Sequence, residues 1–96
     1  MSVYRRRLRQ SEAERYFIYI EKAVREMFPK PRNRFDVIVK GNPFDVEIDD
    51  NWRIWANYFW DILPSFKEGD IIIIEKNGDD SFTITIEPLS NPRKPT

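Results

Sequence analysis

Four isoleucines in a row, Ile71 to Ile74, restrict this chain more than any other feature. β-Branched side chains are stiff about the first torsion and crowd a helix, so the run predicts a strand. With no polar residue interleaved, it predicts a strand covered on both faces. Lys67-Glu68-Gly69-Asp70 turns into it, and Asn77-Gly78-Asp79-Asp80 turns out of it. Phe82, Ile84 and Ile86 then alternate with Ser81, Thr83, Thr85 and Glu87, which completes a hairpin. A second hairpin is expected upstream, from Phe35-Asp36-Val37-Ile38-Val39-Lys40 and Phe44-Asp45-Val46-Glu47-Ile48-Asp49, joined by Gly41-Asn42-Pro43.

Two helices are expected before and between these hairpins. Ser11-Glu12-Ala13-Glu14 reads as a capping box, with Ser11 and Glu14 satisfying each other's amides. Ala13, Tyr16, Phe17, Ile20, Val24, Met27 and Phe28 follow at helical spacing, and Pro29 and Pro31 end the run. Ile18 and Tyr19 make this stripe broader than one flat face needs and suit a second subunit or a strand edge. Residues 50–63 fit a second helix with Trp52, Trp55, Ala56, Phe59 and Leu63 inward. A strand at Trp52–Trp55 followed by a shorter helix is the other reading. The predicted fold class is thus α+β in the order α-β-β-α-β-β. It is a mainly antiparallel four-stranded sheet, or a small partial barrel, with two helices packed on it. Its parts are a basic N-terminal arm (1–10), one compact domain (11–87) and a proline-rich tail (88–96).

Composition narrows the chemistry. In 96 residues there is room for one domain, and 41% hydrophobic and 15% aromatic residues supply its core. Cys is absent, which removes disulfides, thiolate metal sites and cysteine nucleophiles. His is absent too, which removes the commonest general base and metal ligand. Glu47, Asp49, Asp50 and the Asp79–Asp80 pair could hold a hard cation, but Asp50 is better explained as a helix cap and Asp79–Asp80 as a hairpin turn. All three glycines fall at expected turns, so no phosphate-cradling loop is present. No cofactor, metal or catalytic residue is expected. No run approaches the roughly 18 apolar residues of a membrane span, and the start MSVYRRRLRQ lacks a secretory pattern, so a cytoplasmic protein is the default. Twelve Ile, one Gln and 33% charged residues lean towards a heat-adapted source, against which stand six Asn.

The formal net charge is +0, yet residues 1–40 carry eleven Lys/Arg and five acids while residues 41–96 carry five and eleven. The two halves therefore stand at +6 and −6. Such asymmetry fits a polyanion-binding end, attraction between copies, or mutual neutralisation within the fold. Arg5, Arg6, Arg7 and Arg9 form one basic cluster, and Lys30, Arg32 and Arg34 form another. Guanidinium groups bind phosphate in a bidentate fork, so these seven residues are the candidate nucleic-acid contacts. On the expected helix of about 18 residues the clusters stand roughly 27 Å apart. They make one patch only if the arm folds back or a homodimer joins them.

Phe44-Asp45-Val46, the aromatic stretch with Trp60 and Leu63, Phe66-Lys67-Glu68-Gly69-Asp70 with the isoleucine run, and Phe82-Thr83-Ile84 together resemble the latter half of the B3-type pseudobarrel DNA-binding domain. The resemblance covers residues 41–86. It implies about seven strands, where periodicity alone finds four, and DNA gripped by arms at the open side of the barrel. The expected function is non-enzymatic binding of nucleic acid, most readily DNA. The competing expectation is a protein-interaction or self-assembly module anchored by Ile18, Tyr19, Tyr58 and Trp60.

Overall fold

A computed structural model describes residues 2–89. Among these residues, seven strands and little helix replace the expected α-β-β-α-β-β order. The elements are β1 (Val3–Arg7), α1 (Gln10–Arg15), β2 (Phe17–Tyr19), a 3₁₀ segment at Lys22–Met27, β3 (Arg34–Val39), β4 (Asn42–Glu47), β5 (Arg53–Trp55), a 3₁₀ turn at Trp60–Ile62, β6 (Ile71–Gly78) and β7 (Ser81–Glu87). Five strands form a mixed sheet in the order β1-β6-β7-β3-β4, in which only β3 and β7 run parallel. β2 and β5 form a separate antiparallel pair, linked towards β4 by an Ile48–Ile54 bridge. Among the described residues no helix is long and apolar enough to cross a membrane.

Both hairpins form, with tighter turns than expected: Asn77 and Gly78 belong to β6, and only Asp79 and Asp80 remain in the turn to β7. β3 and β4 turn through Lys40 (φ 52°) and Gly41 (φ 81°), with Val39 opposite Asn42. Two consecutive left-handed residues are what a type I′ turn demands, and this is where glycine is needed. Asn42 and Pro43 therefore belong to β4, an edge strand that tolerates proline. In β6, Ile72 and Ile74 are fully buried while Ile71 and Ile73 are half-buried on the other face, so the expectation of cover on both faces holds only in part.

The two long helices do not form. α1 stops after Arg15 because Tyr16 takes a left-handed conformation, φ 60° and ψ 55°. Its start also differs: the Glu12 carboxylate, not that of Glu14, reaches back to the Arg9 amide at 2.8 Å. The next three residues form β2, and Ile18 within it and Ile20 just after it are wholly buried. The apolar stripe marked residues that are largely core, but its period of 3.6 was a coincidence of spacing. A non-local partner, β5, supplies the hydrogen bonds that a helix would have supplied locally. Residues 50–63 follow the other reading, a short strand and then a single 3₁₀ turn.

The core lies between the five-stranded sheet and the β2–β5 pair. Tyr4, Ile72, Ile74, Phe82, Ile84, Val37 and Val39 line the sheet side. Ile18, Ile20, Ile54 and Ala56 face them from the other side, and Phe59, Leu63 and Phe66 close one end. Phe28 stacks on Phe82 at 4.9 Å, which is the use the chain makes of the apolar residue before Pro29. The segment expected as a free arm contains β1, paired along its length with β6. Of the expected tail, only Pro88 and Leu89 are among the described residues.

Candidate nucleic-acid interface

The seven cations expected to meet phosphate do not gather into one surface. Arg6 points inward, and its side chain is only 10% exposed. It donates to both oxygens of the buried Glu12, to the Tyr4 hydroxyl at 2.7 Å, and to the Arg7 and Tyr19 carbonyls. Burial pulls the Arg6 pKa down, but the hydrogen bond and charge of Glu12 outweigh it and raise the value. This guanidinium is spent on the fold. Arg5 pairs with Glu87 at 3.3 Å. Arg7 donates to the Gly69 carbonyl and has no carboxylate partner among the described residues. Arg32 bridges Glu47 and Asp50, and Arg34 holds Asp45 and Glu47. Lys30 is exposed. Much of the opposite charge on the two halves of the chain is thus neutralised internally. Glu47, Asp49 and Asp50, weighed above as cation ligands, each hold an arginine instead.

Arg9 is the exception that leads to a site. Its guanidinium lies 5.7 Å from the Tyr19 ring, and one nitrogen is held by Glu21. Two arginines outside the seven converge on the same place. Arg25, from the 3₁₀ segment, lies 5.7 Å from Tyr19 and 4.6 Å from Trp52. Arg53, directly opposite Tyr19 in the β2–β5 ladder, lies 4.9 Å from Trp55 and 5.4 Å from Phe17. Since Ile18 and Ile54 fill the inner face of this pair, Phe17, Tyr19, Arg53 and Trp55 must occupy the outer one. The outer face is therefore a strip of alternating arginine and aromatic side chains. A hollow of about 330 Å³ opens within it, lined by Arg9, Phe17, Tyr19 and Arg53 together with Ser11, Asn51 and Glu12, whose carboxylate is engaged by Arg6.

Local structure holds this strip in place. The Asp49 carboxylate accepts from the Asn51 and Arg53 amides, from Arg53 Nε at 3.1 Å and from Trp55 Nε1 at 2.9 Å. Burial opposes ionisation of Asp49, but the Trp55 indole, the two backbone donors and the Arg53 charge outweigh it and lower its pKa. Trp52 takes a left-handed φ of 60°, and its carbonyl accepts from the Ile20 amide at 2.7 Å. Tyr16, also left-handed, closes the other end of the ladder by accepting from the Ala56 amide at 2.8 Å. Bulky residues rarely adopt this conformation, and here two of them flank one strip.

Each of the three guanidiniums is anchored at one edge. Arg25 uses Nε on the Ile20 carbonyl and a terminal nitrogen on the Tyr19 hydroxyl, and Arg53 uses Nε on Asp49. The remaining donors point to no protein acceptor among the described residues. An arginine fixed on a ring has already lost its rotamer freedom and can donate in a fork to an incoming oxyanion. Sequence reasoning passed over Arg25 and Arg53 because each stands alone among acids and aromatics. The signal was the excess of apolar width at Ile18 and Tyr19, which suits a strand edge better than a helix.

The interaction anchors are also separated. Ile18 is 0% exposed and cannot meet a partner, whereas Tyr58 is 83% exposed. Tyr19 belongs to the arginine strip. Trp60 stacks on Tyr16 at 4.4 Å on the far side of α1.

No protein-family model matches the chain, and no curated protein matches it. Among solved structures, the N-terminal domain of Helicobacter pylori LlaJI.R1 is similar, with a TM-score of 0.73 at 18% sequence identity. The similarity covers 97% of this chain and 93% of that one. At this identity it establishes a shared fold.

Proposed function

We propose that this chain is a non-enzymatic DNA-binding domain that grips phosphate through Arg9, Arg25 and Arg53, with Arg5, Arg7 and Lys30 as outlying contacts. The observation that carries the reading is the strip itself: three guanidiniums, each laid against an aromatic ring and tethered at one edge, face outward around a single β-pair. Basic groups interleaved with aromatics suit a polyanion that also presents flat bases. The N-terminal domain of Helicobacter pylori LlaJI.R1 shares this fold. The seven strands among the described residues equal the number that the B3-type resemblance implies.

Fluorescence anisotropy against duplex DNA, single-stranded DNA and RNA at two salt concentrations tests the reading. Binding should weaken steeply with salt, with a logarithmic slope of about 0.9 per phosphate neutralised. Arg25→Ala and Arg53→Ala should each reduce that slope by about one contact, whereas Arg34→Ala, which removes an arginine held by Asp45 and Glu47, should leave it nearly unchanged. Affinity indifferent to salt, or equal sensitivity to all three substitutions, would refute it.

A further inference from the structure

On the other side of α1 lies a groove of about 760 Å³ that the nucleic-acid reading does not use. Its floor is apolar and aromatic: Tyr16 stacks on Trp60 at 4.4 Å and 21°, and Phe66 lies 6.0 Å from Tyr16. Its rim carries the exposed carboxylates of Glu14, Asp61 and Glu68, against one cation, Lys67. None of the three carboxylates has a salt-bridge partner among the described residues. Phosphate would be repelled here.

The three tryptophans differ in what lies against them. Trp52 carries the Arg25 guanidinium and Trp55 carries that of Arg53. At Trp55 a carboxylate, Asp49, binds both the arginine and the indole nitrogen. Trp60 has Tyr16 stacked on one side, shares its groove with the carboxylates of Glu14, Asp61 and Glu68, and carries no guanidinium among the described residues. The described residues thus supply the aromatic and acidic parts of the same arrangement without the cation. A guanidinium gains more from an aromatic face beside a carboxylate than from either alone, because the ring displaces water from one side of the ion pair. A groove of this size accommodates one such side chain with its flanking residues.

We propose that this groove is a docking site for an arginine-bearing segment of a protein partner, its guanidinium laid on Trp60 and paired with Asp61 and Glu68. The test is a titration of the full ¹⁵N-labelled chain with the acetylated, amidated peptide Gly-Ser-Arg-Arg-Ser-Gly, followed at the Trp60 indole N–H, which Trp60→Phe assigns. The same peptide with citrulline for arginine keeps the shape and removes the charge. Expected are a saturable Trp60 shift, at least tenfold weaker binding of the citrulline peptide, and at least tenfold weaker binding by Asp61→Asn/Glu68→Gln, with the Trp52 and Trp55 signals unmoved. These two acids are exposed and make no hydrogen bond that the fold needs, so the variant reports on docking. No saturable shift, equal affinity for citrulline, or indifference to the double substitution overturns the proposal. So does self-association that the double substitution abolishes, which assigns the groove to a second copy. A Trp60 signal that moves on Arg93→Ala without peptide overturns it in favour of this chain's own 90–96 segment.

Discussion

Glu12→Ala is the substitution to which the fold should be most sensitive. The Glu12 side chain is 1% exposed and accepts four hydrogen bonds: two from the Arg6 guanidinium, one from the Arg9 amide at 2.8 Å and one from the Tyr19 amide at 2.6 Å. Removing it leaves a cation that is 10% exposed without its counter-ion, and strips the acceptor from two backbone donors. Each orphaned backbone donor costs about 1–3 kcal/mol, and breaking a buried pair from one side costs about 3–5 kcal/mol. These losses overlap, because water entering the vacated space serves several donors at once. The expected loss is about 4 kcal/mol, a large share of the roughly 5–15 kcal/mol that holds a domain of this kind together. Arg6→Ala should cost somewhat less, about 3 kcal/mol, the low end for a buried pair broken from one side, since Glu12 keeps both backbone donors. Urea unfolding followed by tryptophan fluorescence measures both. A loss below about 1 kcal/mol for Glu12→Ala, the worth of an exposed pair, would refute the argument that this network is dry.

Two pH dependences follow from the same geometry. The Asp49 pKa is lowered from the ordinary value of 3.8. Its stabilisation is therefore complete above that value and is lost as pH falls through the lower folded one. Asp49→Asn should flatten the acid limb of stability, read from urea midpoints between about pH 5 and pH 2; an unchanged limb would assign it to other carboxylates. Tyr4 behaves in the opposite sense, because burial first and its hydrogen bond to Glu21 second push its pKa up from 10.0 to about 12. The folded state holds this proton more tightly, so the contribution is complete below pH 10.0 and is lost as pH rises towards about 12. Ultraviolet titration of tyrosinate should show one late-titrating group that disappears in Tyr4→Phe.

The strands written as strict alternation were legible from residues alone. Phe44-Asp45-Val46-Glu47 and Phe82-Thr83-Ile84 each have a neighbour within a few residues, so the hairpin and the inward face follow from local chemistry, whereas the exact register does not, because both turns are tighter than their residues suggest. The absence of Cys and His and the opposite charge of the two halves also needed no coordinates. The segment Tyr16–Ile20 is different. Its residues satisfy a helical stripe and a strand equally well, and what decides between them is β5, more than thirty positions away. No window on the sequence contains that partner.

The arginines show the same division. Their number and clustering are sequence facts, but whether a guanidinium meets an acid, a ring or solvent depends on which strands lie side by side. Arg6 alternates inward on β1 and is consumed by Glu12. Arg53, isolated in sequence, is set opposite Tyr19 and faces out. A chain can advertise its charge in its composition, but only packing determines which charges are left for a partner, because the fold's own carboxylates compete first.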